Sequence, residues 1–293
     1  MTPSATPRPA WGRWIAWGGV PLAVLALLGA ALLWLLRTEA GAAWALARVP
    51  GLSAEGVHGA LLGDLQVQRL AIELPRGGSV VIERLRSQGL RLALAEGGRP
   101  HVQIERLAAE RVAVTPGAPA DPPSPPPTSL ALPLELEVEA VELATLTVAA
   151  LGETPLQHLR ARLHLGAEGG RQHRIADVSL AYGRLRAQAD ATLGTAAPLP
   201  LQATLALAQE GALANAQWSA RATLAGELAR PQLQATLRAD PAEARSPSQT
   251  LDLTAKLQPF ARWPLGDLEA RAQGLDLSVF HASAPSTVLS GEE

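Results

Sequence analysis

Residues 130–148 read LALPLELEVEAVELATLTV, and this stretch decides the fold class. Leu130, Leu132, Leu134, Leu136 and Val138 take every second position, with Glu135, Glu137 and Glu139 between them. A period of two marks an extended strand, whose successive side chains leave on opposite faces. One face is then apolar and the other acidic. The phase changes between Ala140 and Val141, which predicts a turn or bulge there.

The same grammar runs outward in both directions. Towards the carboxyl end it recurs at Leu163 with Leu165, at Val178, Leu180 and Tyr182, and at 199–207, Leu224, 233–237, 251–257 and 275–279. Towards the amino end it recurs at Leu65 with Val67, then Leu70, Ile72 and Leu74, and at 80–84, 90–94, 102–107 and 112–114. Turn signals at 76–78, 88–89, 96–98, 167–170, 193–195, 209–211 and 240–242 separate the runs. Gly51, Gly56, Gly59 and Gly63 predict tight turns between short strands. Roughly twelve to fifteen short strands result, without the alternating helices of a parallel β/α fold. The expected fold is all-β: an elongated, curved antiparallel sheet forming an open trough, preceded by one transmembrane helix.

Residues 115–129, TPGAPADPPSPPPTS, hold seven prolines and cannot join a ladder. They predict a linker at 116–129 between a first β block, 49–115, and a second, 130–293.

The anchor lies near the start. Residues 14–36, WIAWGGVPLAVLALLGAALLWLL, are 23 positions without a charge. As a helix they reach about 34 Å, enough for a hydrocarbon core of about 30 Å. Trp14, Trp17 and Trp34 sit towards the ends, where indoles favour the interface, with Leu25, Leu28 and Leu36 among the apolar body. A cleaved signal is the rival, since Ala40, Gly41 and Ala42 offer small residues. Its apolar region is usually only about 7–15 residues, and Arg37 and Glu39 intervene. Arg8 and Arg13 in the tail, 1–13, put the amino terminus in the cytoplasm by the positive-inside rule. Residues 37–48 continue as a helical stub until Pro50 and Gly51 stop it.

Composition narrows the function classes. A net charge of −2 leaves no electrostatic footprint for nucleic acid. Without cysteine there is no disulfide framework, thiol catalysis or thiolate-ligated zinc. His58, His101, His158, His164, His173 and His281 lack a ligand spacing such as HExxH, and no GxSxG or phosphate loop occurs. Neither a catalytic residue, a metal nor a cofactor is expected. With aromatics at 3% against 47% hydrophobic residues, the apolar face is built from Leu, Ala and Val. Either two sheets cover each other around a dry core, or one sheet curls into a trough that accepts lipid chains or hydrophobic strands. The candidate trough lining is Leu132, Leu134, Leu136, Val138, Leu163, Leu165, Leu205, Leu207, Leu251, Leu253, Leu275 and Leu277.

A family resemblance runs through most of the chain. Residues 49–70, VPGLSAEGVHGALLGDLQVQRL, following a basic tail, one apolar span and a helical stub, resemble the start of the TamB family of translocation and assembly module subunits, in the AsmA-like group. Residues 132–148 resemble its next strand block, and 259–291, PFARWPLGDLEARAQGLDLSVFHASAPSTVLSG, match its elements in the same order. The resemblance implies a single-pass protein of the bacterial inner membrane whose periplasmic trough carries phospholipid or assists outer-membrane protein assembly. It implies an Omp85-family, TamA-like partner as well as the phospholipid bilayer and acyl chains. Because members of the family are much longer, it also implies an amino-terminal part of such a protein.

Overall fold

Alternating leucines and small or polar residues produce a succession of strands, each ended by glycine, proline or a charged turn. In the computed structural model, residues 37–95, 97–118, 125–152, 154–211, 216–241, 249–275 and 289–292 are described. The anchor positions Trp14, Trp17, Leu25, Leu28, Trp34 and Leu36 lie outside them. Among the described residues no helix is long and apolar enough to cross a membrane. One short helix, α1 (Glu39–Leu46), comes first; Thr38 caps it, its Oγ1 accepting from the Gly41 N–H at 3.2 Å. Then come β1 (Leu52–Gly59), β2 (Leu65–Leu74), β3 (Gly78–Gln88), β4 (Arg91–Leu94) and β5 (Pro100–Thr115). After the proline-rich stretch follow β6 (Glu135–Val148), β7 (Leu156–Gly166), β8 (Gln172–Tyr182), β9 (Leu185–Gly194) and β10 (Pro200–Gln209). The last are β11 (Ala216–Glu227), β12 (Arg230–Pro241), β13 (Gln249–Leu257), β14 (Leu265–Leu275) and β15 (Leu289–Glu292).

All fifteen belong to one open, curved sheet in which chain neighbours are ladder neighbours. β4 stands apart, paired only to β5, where it extends the register of β3 past Gly89 (φ 66°). The expectation of a wholly antiparallel sheet needs one correction: β5 and β6 are parallel, with His101 opposite Glu135 and Val114 opposite Val148. The proline-rich stretch is the reason. Parallel neighbours require a connection that returns to the starting end, so the stretch joins adjacent strands of one sheet, and the two β blocks share a ladder.

Both ends of that connection are fastened. Gly117 lies so close to the β2–β3 turn that a Cβ there would come within 2.2 Å of the Pro75 carbonyl oxygen, and Ala118 N–H donates to Arg76 O at 3.0 Å. At the opposite strand ends, Leu130 N–H donates to Thr195 O at 2.8 Å and the Arg99 guanidinium to Leu132 O at 2.5 Å. His173 is a further pin: its Nδ1 accepts from Gly166 N–H at 3.0 Å, so Nε2 carries the proton and donates to Leu130 O at 2.9 Å.

Curvature has a local cause in two transverse lines along which the ladder is interrupted. Gly56 (φ 63°) faces Gln68, and Arg84 (φ 53°) interrupts β3 between Leu85, opposite Val67, and Glu83, opposite Arg69. Arg84 bonds to Glu110 on β5, and His158 (φ 54°) interrupts β7. A second line runs through the register shift between Val138 and Val141, where the sequence changes phase, to Asp177 (φ 51°) in β8. Where the register shifts, a bulge sharpens bend and twist. Along the first line the register is kept from β1 to β5, paired strands placing equal numbers of residues in the interruption, and the side-chain phase changes across it: Val67 and Leu70 are both buried while Gln68 and Arg69 are exposed. From β10 to β13 the pairing runs without a shift.

Layering is what positions the functional face. Apart from α1 and turn residues, the strands pack substantially only on their ladder neighbours, so no second sheet covers the first among the described residues. The one packed core lies at the β1 end, where fully buried Ala42 of α1 meets Leu65, Val67 and Leu70, with Leu46, Leu52 and Leu85 around them.

Candidate functional site

Residues directly opposite in a ladder share a face, so the register converts the strands into transverse rows. One row is apolar across ten strands from β5 to β14: Ile104, Val138, Leu163, Ile175, Ala191, Ala203, Leu224, Leu233, Ala255 and Leu268. At about 4.8 Å per strand it extends about 43 Å. Two further rows lie beside it: Ala189, Leu205, Ala222, Ala235, Leu253 and Ala270, then Ala187, Leu207, Ala220, Leu237, Leu251 and Ala272. Nearer the other strand ends, Leu70, Ile82, Val112, Leu146, Leu156, Tyr182 and Leu185 form another.

These rows form a continuous apolar lane perpendicular to the strands. Alanines and larger aliphatic side chains are interspersed along it; Val138 is buried, and the exposed tips belong to the larger residues. Ala255 keeps 3% of its surface, whereas Leu205, Ile175 and Leu268 keep 37%, 39% and 50%. Between β10 and β13 the lane holds a hollow of about 200 Å³ lined by Leu205, Leu207, Ala222, Ala235, Leu237, Leu251 and Leu253. Such a surface lowers its free energy by about 25 cal/mol for every Å² it covers.

The opposite face is hydrated. Thr204, Thr223, Gln234, Thr254 and Glu269 stand in one row. Charges alternate in sign along another, with Glu55 opposite Arg69, Arg69 opposite Glu83 and Glu83 opposite Arg111. Glu210 is bonded twice by Arg186, at 2.6 and 3.0 Å, and these hydrogen bonds hold its carboxyl below the usual range. Being fully exposed, this pair steers solubility more than stability.

Two polar side chains interrupt the lane face. Ser87, between Leu65 and Leu107 in register, is 5% exposed and its hydroxyl has no partner; Gln209 is 4% exposed with its carbonyl oxygen unpaired. Burial without a hydrogen bond costs about 1–3 kcal/mol. Ser87→Ala is therefore expected to raise the unfolding free energy by about 1 kcal/mol, read from the urea midpoint at constant slope.

Of the residues expected to line a trough, Val138 and Leu163 share the first row, Leu205 and Leu253 the second, and Leu207 and Leu251 the third. Leu136 stands opposite Leu165. Leu132 and Leu134 precede β6, in the segment pinned by Arg99 and His173, because the ladder begins only at Glu135. The backbone of Leu275 pairs with Leu289 at the end of β14, and Leu277 lies outside the described residues. The sequence placed alanine on the apolar face without naming positions; the period-two placement at 187, 189 and 191 was the available signal.

Titratable groups gather mainly on the polar face. His164 Nε2 is 2.6 Å from Glu135 and His101 Nε2 is 3.4 Å from Glu137. Glu137, Glu139, Arg162, His164 and Arg174 border a hollow of about 520 Å³. Among the described residues no group of three or more His, Asp or Glu is placed to hold a metal ion. Compared with known protein families, curated proteins and solved structures, the chain matches none.

Proposed function

We propose that this chain is a membrane-anchored, non-catalytic trough protein that takes part in outer-membrane biogenesis, its apolar lane receiving phospholipid acyl chains. The observation that carries the reading is the lane itself: one apolar row continuous over ten strands, with shorter rows beside it, on a sheet face that no second layer covers among the described residues. An acyl chain is the cover whose chemistry fits, since it needs no hydrogen bonds and can lie along rows of leucine tips. The span at 14–36 would fix the β1 end at the inner membrane, with the sheet in the periplasm. The resemblance to the TamB family points the same way and supplies the expected Omp85-type, TamA-like partner.

The test is lipid extraction and mass spectrometry on the full chain purified in mild detergent. Phospholipid retained through extensive washing is the expected result; a lipid-free chain with the sheet intact would contradict it.

One observation favours a second reading, a scaffold that holds nascent outer-membrane proteins through its sheet edges. β4 has a free edge, and Leu92 and Leu94 on it are 53% and 75% exposed. Edge pairing would recruit an extended segment of another chain. Crosslinkers at positions 92 and 94 should then trap polypeptide, and the lane should trap no lipid.

A further inference from the structure

α1 is apolar on both of its faces. On one, fully buried Ala42 and Leu46 pack onto Leu65, Val67 and Leu70. The other presents Ala40, Ala43, Trp44 and Ala47, and Trp44 keeps 49% of its surface. Val49, just past the helix, is 48% exposed. Glu39, paired with His58 at 3.3 Å, is the one charge within the helix, at its first position; an apolar helix face is ordinarily covered. The outward face has no such cover among the described residues.

The chain before α1 identifies the cover. Residues 14–36 carry no charge over 23 positions, and the N-cap Thr38 follows two positions later. Thr38 is extended (φ −118°, ψ 151°), so α1 begins anew and can lie at an angle to whatever precedes it. Trp44 is eight positions from Leu36: six of helical rise from Thr38, about 9 Å, and two extended steps of at most about 7 Å. Trp44 therefore stays close to the point where an apolar span would leave the lipid. Arg48 sits over its ring, 4.5 Å from the centroid. That pairing suits the interface, where an indole lies at headgroup depth and an arginine stem covers it while the guanidinium reaches towards phosphate.

We propose that the outward face of α1, with Trp44, Arg48 and Val49, rests in the headgroup region of the bilayer that 14–36 enters, holding the β1 end of the trough flat against the lipid. This rests on the reading of 14–36 as a membrane span. The burial would be that of an interfacial helix, about 5–10 Å.

The chain has no cysteine, so single nitroxide labels can be placed without background. Ala43→Cys and Ala47→Cys keep Trp44 and Arg48, Leu94→Cys reports exposed sheet, and Leu25→Cys reports the span. In proteoliposomes of phosphatidylethanolamine and phosphatidylglycerol, labels at 43 and 47 should lose accessibility to aqueous Ni-EDDA and gain it to oxygen, relative to 94. Trp44→Ala should return the label at 47 towards water. If the label at 25 is in lipid while 43 and 47 match 94, the docking is overturned and the span stands. Water access at 25 overturns both. Dipolar broadening between copies at 43 and 47, with water access, would mean that a second copy covers the face, and would likewise overturn lipid docking.

Discussion

Replacing Leu205 and Leu253 together with aspartate is expected to remove most of the phospholipid that the chain retains, while its far-ultraviolet circular dichroism stays unchanged. Both residues stand in one lane row, separated by Ala222 and Ala235. Leu205 is 37% exposed, so a carboxylate there remains hydrated when the lane is empty. The fold loses little. Covering that carboxylate with an acyl chain strips its water without supplying a partner, which costs several kcal/mol. A penalty of only about 2.8 kcal/mol already lowers occupancy a hundredfold. Thr204→Asp with Thr223→Asp, on the opposite face of β10 and its neighbour β11, should leave the lipid in place. Equal loss from both pairs would mean that the lane face is not where lipid sits.

The opposite balance is expected at the β1 end. Val67 is 1% exposed and packs in the cluster beneath α1. Val67→Asp places a charge where neither water nor a counter-ion reaches it, a change that costs about 3–5 kcal/mol or leaves this end of the sheet unfolded. Val67→Ala should cost about 1–2.5 kcal/mol from the lost methyl groups and the remaining cavity. Leu207→Ala removes more carbon from the open lane, yet is expected to cost less, because that side chain has no second layer above it. Urea unfolding of the three variants compares the sites. Hydrogen exchange across 39–46 should accelerate in the Val67 variants alone, as α1 leaves its seat. A larger cost at Leu207 than at Val67 would show that the lane is packed after all.

Much of the architecture was legible because period two survives in nearly every strand. The phase change between Ala140 and Val141 marks the register shift that lies between Val138 and Val141. Where information is carried by distant partners, the sequence is mute. The parallel pairing of β5 with β6 depends on where the proline-rich stretch is fastened, at Arg76 and again at Thr195, and those acceptors carry no local mark. Gly56 reads as a turn residue, yet stands inside β1 where the ladder is interrupted, since a turn and such an interruption can both use positive φ. Leu132 and Leu134 continue the alternation of β6 without joining its ladder. An inward leucine also looks the same in a dry sandwich and in an open trough. The lack of a covering layer among the described residues is what separates the two, and it becomes visible only when the ladder order is known.

The central claim is that one face of this sheet, and not the other, holds lipid chains. Photocrosslinking from each position 203–208 along β10 in native membranes tests it most directly. Lipid adducts at 203, 205 and 207, with none at 204, 206 and 208, are the predicted result. Adducts without that period of two, or polypeptide captured at 205 and 207 in place of lipid, would contradict it.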